Sequence, residues 1–235
     1  MRLRLLAAFM VLSISACGDN PLAGLVAGGS RTAQSEITVT SDRVVLRGPT
    51  GFCVDPKSSK HSPSQAFVVF GNCAAIAGNE ELPQPFVNAI ATATVLPSRQ
   101  GDPSIGESEV ALAEFFGSDA GKATLSAAGN PDSVEILDSF LRKGAFFIHA
   151  RDKATAPLAG TANTYWRGYF NVKRSVVVVS VLGLENKPVS SADGLKTLYD
   201  FGNALVEGQA PTERPVSPKN PDDVAKTGLL RRLFG

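Results

Sequence analysis

The side chains most able to hold a metal or attack a substrate are few: His61 and His149, with Cys17, Cys53 and Cys73. No CxxC or HExxH pattern occurs, and these residues are too few and too scattered for the close-spaced ligand sets that bind structural zinc, so no metal site is expected. Cys53 and Cys73 lie twenty positions apart, whereas reactive dithiols sit close together at helix starts, so redox chemistry is not expected of them. His149 is the available general base, with Asp152 close behind it in "AFFIHARD". Its nucleophile is missing from the sequence: Ser104 in "GDPSIG" stands between glycines at the wrong spacing for a nucleophile elbow. A half-exposed strand histidine is therefore the expectation, and a hydrolase using His149 the alternative. "FGSDAGKAT" comes near a phosphate-binding loop, but three residues separate Gly117 from Gly121 where four are needed. Ala123 also follows Lys122 where a magnesium-binding hydroxyl would stand. No nucleotide, cofactor or catalytic residue is expected.

Elements that could carry these residues follow from periodicity. "EITVTSDRVVLRG", "AFVVFGNC" and "FVNAIATATVLP" are β-branched and aromatic runs cut by polar residues, which predicts strands. "SIGESEVALAEFFGS" predicts a helix begun by a Ser104 to Glu107 capping box, with Val110, Leu112, Phe115 and Phe116 following. "DAGKATLSAAG" predicts a shorter one that Gly129 is placed to end. Four strands come next, in "SVEILDS", "GAFFIHARD", "TYWRGYFNV" and "SVVVVSVLG". Alternation puts Trp166 and Phe170 on one face and Tyr165, Arg167 and Tyr169 on the other. It also sets His149 with Phe147 and Arg151, opposite Phe146, Ile148 and Ala150. "SVVVVSVLG" is apolar on both faces, as a central strand covered from both sides would be. The cover on one side is "SSADGLKTLYDFGNALVEG", capped by Ser190 or Ser191, with Leu195, Leu198, Tyr199 and Leu205 in a helical stripe. The order of elements predicts an α+β fold, a mostly antiparallel sheet flanked by helices in a single domain over residues 36–209.

The termini read differently. Arg2 and Arg4 precede an apolar run from Leu5 to Leu12 and small residues Ser13, Ser15 and Ala16, the layout of a secretory signal over residues 1–16. That run is too short for a membrane-spanning helix of roughly 20 residues. Ile14, Ser15, Ala16 and Cys17 resemble the lipobox of bacterial lipoproteins. The resemblance implies cleavage before Cys17 and lipid on its sulfur and amino group, anchoring the mature chain to a membrane facing the periplasm. By that family's sorting rule Gly18 directly after the cysteine favours the outer membrane, with Asp19 one place later. In an oxidising periplasm Cys53 and Cys73 are expected to form a disulfide.

Residues 17–35, rich in Gly, Ala and Ser, predict a flexible tether, and residues 210–221, with four prolines, an extended linker. Residues 222–235 predict a short amphipathic helix, a docking tail in which Leu230, Leu233 and Phe234 share a side and Arg231 and Arg232 lie near the end. The full chain holds 23 basic and 22 acidic side chains, and loss of Arg2 and Arg4 with the signal leaves a net charge of −1. Such balance gives no reason to expect nucleic acid as a partner.

"YWRGYF", "SVVVVSVLG" and "GLKTLYDFGNALV" together resemble the closing β-β-α of PsbP and Mog1-type domains. That likeness implies an α/β/α sandwich and accessory or binding roles. The reading is thus an envelope lipoprotein that binds a protein partner, with Tyr165, Arg167 and Tyr169 as a candidate binding face and His61 on a loop closed by the disulfide. Carriage of a small apolar ligand between sheet and helices is a further alternative.

Overall fold

The computed structural model describes residues 32–154 and 156–210. β1 (Glu36–Val39) and β2 (Val44–Arg47) form a separate antiparallel hairpin. β3 (Phe52–Val54), β4 (Lys60–His61), β5 (Ala66–Asn72), β6 (Ala89–Pro97), β7 (Val134–Arg142), β8 (Ala145–Asp152), β9 (Thr161–Val172) and β10 (Ser175–Leu184) make one eight-stranded antiparallel sheet. Its order is β3-β5-β6-β10-β9-β8-β7, with β4 added to β5. The helices are α1 (Cys73–Ala77), α2 (Glu109–Gly117), α3 (Asp119–Leu125) and α4 (Ser191–Gly208). The fold is α+β, as the succession of elements predicts.

β10 shows why the sheet needs cover on both sides. Val177, Val179 and Val181 enter a core shared with Leu198, Phe201 and Leu205 of α4 and with Val44 and Leu46 of β2. On the opposite face Leu182 joins Phe146, Ile148, Ala150 and Tyr165 beneath Phe116 of α2 and Leu125 of α3. Burying each large apolar side chain of this kind stabilises by about 1.5–3 kcal/mol. Phe201 is central to the first core, its ring 5.0 Å from that of Phe52 and 5.5 Å from that of Phe70. Ser190 starts α4 by accepting from the Asp193 backbone N–H at 3.1 Å, which settles the choice between the two serines.

Two expectations need correcting. The Ser104–Glu107 capping box makes its hydrogen bonds, Ser104 N–H and hydroxyl to Glu107 Oε2 at 2.8 and 2.7 Å. It closes a turn, however, and α2 begins only at Glu109. α3 ends at Leu125 with Ser126 as cap, so Gly129, at φ +70°, turns the loop after it instead of ending the helix. Just before β1, the Gln34 and Ser35 carbonyls accept from Val54 and Gly48 N–H at 2.8 Å. The signal, Cys17, the proline linker and the Leu230 to Phe234 tail lie outside the described residues. Among the described residues, no helix is long and apolar enough to cross a membrane.

Candidate functional site

His149 lies on β8 with its ring stacked on Trp166 of the neighbouring β9, centroids 4.5 Å apart and nearly parallel. Its Nδ1 stands 3.5 Å from the Ser191 hydroxyl in the first turn of α4, the outer limit of a hydrogen bond. Asp138 of β7 is its cross-strand partner. Burial pushes the imidazole pKa below its ordinary value; Asp138 opposes that shift and Arg151 adds to it. Asp152 does not join this group. Three positions along a strand put it on the opposite face, where it is fully buried. The His149–Asp152 pairing suggested by their closeness in sequence is therefore corrected by strand geometry.

Asp152 instead fastens the other face. Its Oδ2 accepts from the Ser126 hydroxyl at 2.9 Å and Ala127 N–H at 3.0 Å. Its Oδ1 accepts from the Ser133 hydroxyl at 2.6 Å and Ala154 N–H at 3.1 Å. Burial raises its pKa, but these hydrogen bonds to the charged form prevail and hold it below the usual carboxylate value. Tyr165, Arg167 and Tyr169 serve the same roof. The Tyr165 hydroxyl donates to the Leu125 carbonyl, and burial pushes its pKa up to about 12. Arg167 donates from Nε to Ser180 Oγ at 2.9 Å and from a terminal nitrogen to the Thr124 carbonyl at 3.1 Å. Tyr169 packs on Phe116, ring centroids 5.2 Å apart. Of the three residues of this face, Tyr165 is a core residue at 2% exposure, while Arg167 and Tyr169 reach α3 and α2 and stay partly exposed.

One open cleft lies across the sheet. The β7–β8 hairpin tip, Lys143 and Gly144 at φ +50° and +74°, has the backbone of a two-residue hairpin turn and stands beside the second half of α4. Between them is a cleft of about 290 Å³ with an aromatic floor of Phe147, Phe170 and Tyr199. Phe147 meets Phe170 and Tyr199 nearly edge-on, at 5.7 and 5.0 Å. The Arg142 guanidinium lies 4.9 Å over the Tyr199 ring and donates to its hydroxyl at 3.1 Å. Periodicity marked Tyr199 as part of the helix stripe, but Arg142 is 57 positions away and no local pattern joins the two.

Cys53 of β3 and Cys73, the first residue of α1, form the expected disulfide with Cα atoms 4.8 Å apart. The chain between them is a hairpin in which Asp55 receives Lys57 N–H at 3.0 Å and the Ser58 hydroxyl at 2.6 Å. The Ser58 bond leads the causes that hold the Asp55 pKa below its usual value. His61 is exposed on β4, paired with Ala66. No family model, curated protein or solved structure matches the chain.

Proposed function

We propose that this chain is a non-catalytic binding module of the bacterial envelope, anchored through lipid on Cys17 with its domain facing the periplasm, and that it serves an envelope protein partner. The observation that carries this reading is the Cys53–Cys73 bridge, which ties an edge strand to the start of α1. Such bonds persist in oxidising compartments. The lipobox-like Ile14 to Cys17 addresses the chain to that compartment, and Gly18 favours the outer membrane within it. Intact mass and fractionation of the native protein test the reading in one preparation. Expected are an N-terminus at Cys17 carrying acyl chains, a mass two hydrogens short at Cys53 and Cys73, and recovery with membranes. Cys17→Ser is expected to leave unlipidated precursor. A soluble native protein beginning at Met1 with free thiols overturns the proposal.

The aromatic cleft beside α4 favours a second reading, carriage of a small ligand by the same domain. Native mass spectrometry of protein taken directly from cells is expected to show a co-purified small molecule, and a ligand-free spectrum counts against it.

A further inference from the structure

We propose that the cleft between the β7–β8 hairpin and α4 is a binding site for a small aromatic carboxylate, its ring on Phe147, Phe170 and Tyr199 and its carboxylate on Arg142 and Lys143. This names the ligand class for the carriage reading and rests on it, while standing apart from the lipid anchor.

The first support is charge. The rim carries two cations and the lining has no carboxylate among the described residues. Among the described residues neither Arg142 nor Lys143 has an ion-pair partner. Arg142 is held in place by the Tyr199 ring and hydroxyl yet spends one of its five N–H donors on that bond. Its remaining fork suits a carboxylate. The second is shape. Phe170 is wedged between two glycines: a Cβ at Gly168 or at Gly202 would come within 2.7 Å of its ring. Gly202 sits inside an eighteen-residue helix, where glycine costs about 1 kcal/mol against alanine. That conformational cost goes with a fixed aromatic wall facing the cleft. At about 290 Å³ the space stands at the small end of ligand sites.

The test is calorimetric titration of the full chain with 3-phenylpropanoate, its neutral amide and hexanoate, with spectra of labelled Phe and Tyr locating the site. Saturable binding of phenylpropanoate with shifts at Phe147, Phe170 and Tyr199 is expected. The amide and the Arg142→Gln, Lys143→Gln double variant are each expected to bind or be bound about tenfold more weakly, with the unfolding midpoint of the variant lowered only slightly by loss of the Arg142–Tyr199 contact. Equal binding of the amide, preference for hexanoate, or full binding by the double variant overturns the ligand class while the carriage reading survives. No heat and no shift with any of the three probes overturns the ligand class, while the carriage reading stands or falls by the native mass spectrum. The anchor is judged separately, by the mass of Cys17.

Discussion

On one face of the sheet a single long helix lies on aromatic and aliphatic side chains, with a cleft left beside it; on the other, two short helices cover Tyr165, and the second of them is also fastened by polar groups from the strands. α4 relies chiefly on Leu198, Phe201 and Leu205. α2 packs through Phe116, and α3 adds to Leu125 the hydrogen bonds of Arg167 and Tyr165, with those of Asp152 just beyond its end. The difference is one of length. An eighteen-residue helix presents a long apolar stripe for burial, whereas the seven residues of α3 present a short one, and Tyr165 and Arg167 of β9 take up its Leu125 and Thr124 carbonyls.

That contrast can be broken most forcefully at Phe201. Phe201→Ala removes the ring shared by Phe52 and Phe70 and is expected to lower stability by about 4 kcal/mol in urea denaturation. A loss below that of any polar substitution on the other face would show that α4 is not held by burial. Asp152→Asn comes next, at about 3 kcal/mol, because either orientation of the amide turns its NH2 toward a backbone N–H that Asp152 now receives. Its pH dependence sharpens the point. The folded pKa of Asp152 lies below the ordinary 3.8, so its contribution is complete above that value and drains away as pH falls through the folded one. The variant is expected to lose that acid-side dependence, measured as denaturation midpoint against pH. Smallest is Tyr165→Phe, which deletes one donor to the Leu125 carbonyl and is expected to cost about 1 kcal/mol. Amide exchange should quicken in α3 and stay unchanged in α4; equal quickening in both would deny that the two roofs are fastened separately.

Much of this architecture was legible in the chain. Period-two alternation places Trp166 against Tyr165 and His149 against Ile148 correctly, and the two-sided apolarity of "SVVVVSVLG" identifies the strand that lies inside the sheet. Ser190 and Asp193 announce α4. The same alternation, carried three places on from His149, would have separated it from Asp152. What could not be read is whatever depends on pairing between distant strands. Asp138 beside His149 needs the β7–β8 register and its irregularity between Ile136 and Asp138. The cover over Tyr165 and Arg167 needs the place where α3 comes to rest. The cleft needs the tip of one hairpin to meet a helix more than fifty positions later.

The strand order also constrains how the molecule comes into being. β7 to β10 form a meander of successive neighbours, each joined to the last by a nearby turn, while β6 finds its second partner only in β10, at pairs such as Ser175 with Pro97. The second hydrogen-bonding rim of β6 is closed only by β10, the last strand of the domain. The seam between β6 and β10 is where the two halves become one molecule.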